Sequence, residues 1–205
     1  MTNLKAICVY CGSSDGTDPA MLRSAESLGH AMAEAGIGLV YGGGTNGLMG
    51  AVARAVLSRG GRVTGIIPDF LRSKERMLEA SQIPGQLEMI VVDDMHTRKR
   101  LMFERADAFV ALPGGIGTLE ELVEQMTWVQ LDRHSKPVVI ADVGGFWAPL
   151  LSLIDHMREQ GFIREAADLR YRVSSHIDDV LPTIRSVLAD AERSGSVKTD
   201  LDIPM

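Results

Sequence analysis

At 205 residues and 22.2 kDa, with 45% hydrophobic and 23% charged residues, the chain has the length of one globular domain and enough apolar material for a full core. Aromatics are sparse at 5%, and no apolar run approaches the roughly 20 residues of a membrane span, so membrane-integral, disordered and collagen-like classes are excluded. A formal charge of -6 offers no broad positive field to a phosphodiester backbone, which leaves small anions and not nucleic-acid polymers as expected partners.

In chain order, short β-branched runs alternate with longer helical patterns. Strands are predicted at Ala6–Tyr10, Gly38–Tyr41, Arg62–Ile67, Met89–Val92, Ala108–Leu112, Pro137–Ala141 and Tyr171–Val173. Several are apolar on both parities, as strands covered on two faces should be. Helices are predicted between them at Pro19–Ala35, Leu48–Arg59, Met95–Ala106, Thr118–Leu131, Phe146–Gln160 and Ile177–Ala191. The alternation predicts an α/β, Rossmann-like three-layer sandwich with a mainly parallel sheet, forming a single domain over residues 1–193. A charged, Pro-bounded piece, Pro68–Gln86, interrupts the pattern. The tail, residues 194–205, offers little to pack and is expected to be flexible.

The only two cysteines, Cys8 and Cys11, lie on the first strand and just at its exit. An offset of three along a strand sends them to opposite faces, which favours packed thiols over a redox pair. Zinc would need two more ligands at motif spacing, and the five histidines are scattered, so no metal site is expected. The first residues lack the layout of a secretory signal, and the cytoplasm is the expected location.

In open parallel sheets ligands collect beyond the carboxyl ends of the strands. Three exits there are unusual: Cys11-Gly12-Ser13-Ser14, Gly42-Gly43-Gly44-Thr45-Asn46-Gly47 and Pro113-Gly114-Gly115-Ile116-Gly117-Thr118. Glycines at a strand-to-helix turn let backbone approach a ligand, and the following helix start presents free N–H groups to an anion. Ser14, Gly43, Gly44, Thr45 and Gly114 are therefore candidate phosphate-cradle positions. Gly42, Gly44 and Gly47 also fit a dinucleotide pattern, with Asp69 as the ribose partner, but the pattern follows the second strand instead of the first. A Walker lysine motif is missing.

Thr118 and Glu121 have the spacing of a capping box, while Glu120 and Glu124 have that of a solvated helix face. His96-Thr97-Arg98-Lys99-Arg100 follows Asp93-Asp94, either of which can cap the helix. Basic groups there oppose the macrodipole unless neutralised, by the two aspartates or by an anionic ligand.

Together these residues resemble the lonely guy family of cytokinin riboside 5′-monophosphate phosphoribohydrolases, some of whose members carry a lysine decarboxylase label. The resemblance runs over roughly residues 5–185. Its most specific element is Pro113-Gly114-Gly115-Ile116-Gly117-Thr118-Leu119-Glu120-Glu121. It implies a cofactor-independent homodimer that hydrolyses the N-glycosidic bond of cytokinin riboside 5′-monophosphates and AMP, releasing free base and ribose 5-phosphate. It also implies Arg98 and Glu121 as the catalytic pair, with substrate contacts from Lys99, Gly115, Ile116, Gly117, Thr118, Leu119, Glu120 and Thr127, and from Glu75. Thr45-Asn46 stands where the family more often has Ser-Val.

The chemistry divides naturally between the pair. A carboxylate can stabilise an oxocarbenium-like sugar and polarise the attacking water. Arg98, always protonated, can orient the ribose phosphate or offset charge on the departing base. The five lysines show no arrangement suited to pyridoxal chemistry. A different class of function stays open on the same turns: a non-catalytic nucleotide or molybdenum-cofactor carrier that binds a phosphorylated ligand and cleaves nothing.

Overall fold

The computed structural model describes residues 4–72, 84–163 and 169–193. Glu75 and the tail 194–205 lie outside the described residues, as does most of the Pro68–Gln86 piece. Seven strands form one sheet: β1 (Ala6–Tyr10), β2 (Gly38–Tyr41), β3 (Arg62–Pro68), β4 (Gln86–Val92), β5 (Ala108–Ala111), β6 (Val138–Ala141) and β7 (Tyr171–Ser174). Every pairing is parallel, in the order β4-β3-β2-β1-β5-β6-β7.

The helices are α1 (Pro19–Glu34), α2 (Gly47–Ser58), α3 (Asp69–Arg72), α4 (Met95–Glu104), α5 (Ile116–Gln130), α6 (Ala148–Glu159) and α7 (Val180–Arg193). Short α3 is an element that the charged Pro68–Gln86 stretch did not announce. A single 3₁₀ turn, Ile177–Asp179, takes the place of the expected first turn of α7.

β2, β5 and β6 are buried at every position, because both sheet faces are covered. On one face Ile7, Val9 and Cys11 pack with Leu28 and Met32 of α1, Val52 and Val56 of α2 and Ile184 of α7. On the other, Cys8 and Tyr10 pack with Met102 and Phe103 of α4, Leu122 and Met126 of α5 and Ile154 of α6. The two thiols are buried, unpaired in any disulfide, and belong to opposite layers, as the strand offset required. Burial pushes both thiols well above their usual range. Each fully buried Leu or Met side chain contributes about 1.5–3 kcal/mol of transfer free energy to this arrangement.

The sheet order places the functional edge. From β1 the chain winds outward through β2 and β3 to β4, then crosses back by way of α4 to lay β5 on the other side of β1. The strand order therefore reverses between β1 and β5, and the turns leaving those two strands flank the crevice where α/β sheets receive ligands.

Candidate active site

Three strand exits meet at this reversal point. Gly12 N–H donates to the Pro113 carbonyl at 3.0 Å, and Met49 N–H donates to the Gly12 carbonyl at 3.2 Å. A Cβ on Gly114 would stand 2.2 Å from Thr118 Oγ1 and 2.9 Å from Gly12 N, so only glycine lets the β1 and β5 turns close on each other. Gly47, at φ +60°, starts α2 with a left-handed residue, and a side chain there would run into the Ser14 amide at 2.3 Å. Ser14, Gly43, Gly44, Thr45 and Gly114 are thus brought to one edge. Within it the Thr45 carbonyl is occupied by Arg54 Nη1 at 2.8 Å.

The helix starts differ in a way that matters for an anion. Asp18 caps α1 through the Ala20 N–H at 2.8 Å, and Asp94 caps α4 through the Thr97 N–H at 2.8 Å. Hydrogen bonds from the Thr97 backbone and hydroxyl hold the Asp94 carboxyl below its ordinary range. At α2 and α5, which follow the glycine turns, the cap residues are Asn46 and Gly115, and neither makes a side-chain cap bond. Ile116 is 81% exposed, and the space beside Gly115 and Gly117 is open. The first amides of α5 therefore face outward with the positive end of the helix dipole behind them.

This helix start corrects the capping-box expectation. α5 begins at Ile116, so Thr118 occupies its third position and Glu121 its sixth, too deep for a reciprocal cap. Glycine at the cap, Gly115, and at the second helical position, Gly117, hid the true start, since glycine is a poor helix former. Freed from capping, the Glu121 carboxylate faces Arg98 of α4: Oε1 and Nη1 are 3.7 Å apart, and the side chains are only 12% and 11% exposed. Burial is the main influence on Glu121 and pushes its carboxyl up to about 7; Arg98 opposes this, Glu120 reinforces it, Lys99 opposes and Glu124 reinforces.

Arg98 is itself held by backbone. Its Nε donates to the Ile66 carbonyl at 3.2 Å and its Nη2 to the Gly42 carbonyl at 3.5 Å, while Nη1 approaches Met95 Sδ at 3.8 Å. A Cβ on Gly42 would sit 2.2 Å from Nη2. The glycine run after β2 thus opens space for a guanidinium.

Lys99 is also turned toward α5. Its Nζ donates to Glu120 Oε1 at 2.6 Å and to Glu124 Oε1 at 2.9 Å. Burial depresses this ammonium, but the two carboxylate hydrogen bonds outweigh burial and raise it overall. Arg98 and Lys99 are therefore neutralised by α5, and Asp93 and Asp94 do not serve as their partners in the described contacts. Glu120 and Glu124 are bound to a lysine and do not form a merely solvated face. Glu124, read from its i+4 spacing to Glu120 as part of a solvated face, instead holds Lys99 beside the Arg98–Glu121 pair.

Thr127 stands apart from this cluster. It lies six residues beyond Glu121, about 9 Å along the helix, on the exposed side, with its Oγ1 donating to the Val123 carbonyl at 2.8 Å. Leu119 packs partly into the core layer below α5.

Fold and site define a Rossmann-like α/β protein whose glycine-rich strand exits lie beside a buried carboxylate–guanidinium pair. Residues 49–184 match the family described as "Possible lysine decarboxylase". The chain is 47% identical over 168 residues to a cytokinin riboside 5′-monophosphate phosphoribohydrolase of Arabidopsis thaliana, covering 81% of this chain and 74% of that one. It is 43% identical over 182 residues to the phosphoribohydrolase of the same name from Rhodococcoides fascians, covering 89% and 90%. The chain belongs to the lonely guy family of cytokinin riboside 5′-monophosphate phosphoribohydrolases. Among solved structures, the molybdenum cofactor carrier protein of Chlamydomonas reinhardtii superposes with a TM-score of 0.65 at 20% identity, over 91% of this chain and 99% of that one. The molybdenum cofactor binding protein of Rippkaea orientalis gives 0.63 at 21%, over 92% and 99%. At such identities the likeness is one of fold alone.

Proposed function

We propose that the protein hydrolyses the N-glycosidic bond of cytokinin riboside 5′-monophosphates and AMP, giving free base and ribose 5-phosphate. The observation that carries this is Glu121: a carboxylate out of water, paired with Arg98, beside amides that no side chain caps. In the reaction the phosphate occupies the glycine turns. Water attacks C1′ as the C1′–N9 bond breaks, the bonding pair leaves with the base, and Glu121 takes the water proton. A base that titrates near the working pH suits that step. Arg98 supplies positive charge at the same edge, and the two carbonyls and Glu121 hold it there without a reorganisation cost. Incubation with AMP and with isopentenyladenosine 5′-monophosphate, followed by chromatography, is expected to show free base from both. Binding without release of base would overturn the proposal in favour of a carrier.

Gly42→Ala tests the arrangement at Arg98. The clash falls on the end of a flexible side chain, so the fold is expected to persist with a thermal midpoint within a few degrees of the parent. The guanidinium must move off the Gly42 carbonyl, and a displacement of that size costs about 10²-fold in kcat/KM. Steady-state rates near those of the parent would show that the position of Arg98 is unimportant.

We also infer that the protein acts as a cytoplasmic homodimer of a single domain spanning residues 1–193. Ile116 and Val123 lie exposed along α5 and Leu131 at its C-terminal cap, with Thr127 among them, a stripe suited to cover by a second copy. A partner there would surround Thr127 with a second subunit's surface. Light scattering is expected to return twice the chain mass. Among the described residues, no helix is long and apolar enough to cross a membrane.

A further inference from the structure

We infer that Glu124 is a positioning residue for the hydrolytic site: it anchors Lys99 to α5, fixing where the ammonium meets the nucleotide and how its charge bears on Glu121. The inference rests on the reading of Arg98 and Glu121 as the catalytic pair.

Lys99 crosses from α4 to α5 and spends two of its three N–H donors on Glu120 and Glu124. The two carboxylates are one turn apart on α5 and flank the ammonium from the same helix face. They are not equivalent. The Glu120 side chain is 51% exposed and the Glu124 side chain 20%.

An incoming phosphate competes with both for Lys99. Glu120 can be released into water at little cost, as exposed ion pairs generally can. Releasing Glu124 would strand a largely buried carboxylate without its cation, which is far more costly. Lys99 therefore exchanges Glu120 for the ligand and keeps Glu124. Without that second tether a flexible four-carbon stem would leave the ammonium undirected.

Charge follows the same geometry. Glu121 is faced by Arg98 and Lys99 from α4, by Glu120 and Glu124 from α5, and by Cys8 and Tyr10 from β1, while Cys11, just beyond β1 and in the opposite layer, feels its charge through the sheet. Neutralising Glu124 removes a nearby negative charge and leaves Lys99 less compensated. Both effects favour the ionised form of Glu121.

The test compares kcat and KM for AMP and for adenosine, between pH 5 and 9, in the full chain and in Glu124→Gln, Glu124→Ala and Glu121→Gln. Glu124→Gln keeps an oxygen for Lys99 but no charge, and its ascending limb of kcat/KM is expected to move to lower pH. Glu124→Ala is expected to raise KM for AMP about tenfold and to move the limb to lower pH as Glu124→Gln does; adenosine, which brings Lys99 no phosphate, is expected to show the limb shift without the rise in KM. An unmoved limb in Glu124→Gln, or equal losses on AMP and adenosine in Glu124→Ala, overturns the role. Should Glu124→Ala fail to fold, the limb of Glu124→Gln decides alone. If Glu121→Gln is dead while the Glu124→Gln limb is unmoved, only the anchoring role fails; if Glu121→Gln is fully active, the catalytic assignment falls and this inference with it.

Discussion

Glu121→Gln is expected to lose about 10²–10⁴-fold in kcat while AMP affinity, measured by calorimetry, stays within an order of magnitude. The amide has nearly the shape of the carboxyl but cannot accept the water proton or offset positive charge on the sugar. Under the proposed reading, phosphate affinity resides in the glycine turns and Lys99, which the substitution leaves alone. In the parent enzyme, kcat/KM should climb as pH rises through about 7, where Glu121 ionises, and the variant should show no such limb. Stability offers an independent check. The folded value lies above the ordinary 4.5, so below pH 4.5 Glu121 is neutral in both states and its environment carries no penalty. Between 4.5 and about 7 the unfolded chain releases a proton that the folded chain keeps, and stability falls until the folded carboxyl ionises. The Gln variant lacks this slope, so relative to the parent it should gain roughly 3 kcal/mol between pH 4 and pH 8 in denaturant titrations. A variant that keeps its turnover ends the assignment of Glu121 as the base.

The places where sequence reading succeeded and failed have a common physical cause. β2 and β5 are short and buried on both faces, so residue type alone declared them, and the opposite fates of Cys8 and Cys11 followed from strand geometry. The glycine turns were visible because glycine marks close approach. Less visible was what the turns approach: Gly42 makes room for the Arg98 guanidinium, which depends on α4 crossing back over β3. Likewise Asp94 beside Arg98 suggested local neutralisation, yet the charges are met by α5, more than twenty residues away in sequence. Periodicity found α5 but misplaced its first turn, since the propensity of Gly115 and Gly117 argues against helix where tertiary closure of the β1 and β5 turns imposes it. Local rules broke at the edge proposed to receive the ligand, and functional sites are where consistency between propensity and fold is most often given up.

Arg98→Ala should also cost about 10²–10³-fold in kcat/KM for AMP at pH 7, and the manner of the loss separates its roles. Arg98 is the strongest influence opposing burial at Glu121. Without it the carboxyl moves above 7, is mostly protonated at neutral pH, and the ascending limb shifts to higher pH. Part of the loss should therefore be recovered at pH 9. The remainder measures the positive charge that the guanidinium lends to the nucleotide, and its division between AMP and adenosine shows whether that charge meets the phosphate or the leaving base. Stability follows the same sign: the penalty for ionising Glu121 saturates near pH 7 in the parent but continues to grow above it in the variant, so their difference in denaturant titrations should widen from pH 7 to 9. Arg98→Lys should fall between, because a single ammonium cannot span the Ile66 and Gly42 carbonyls and Glu121 together. The three substitutions then displace one limb in three ways: upward without Arg98, downward without the charge of Glu124, and out of existence without Glu121. A limb that stays in place in Arg98→Ala would mean that Glu121 is not the group titrating, and that the pair at the sheet edge serves binding alone.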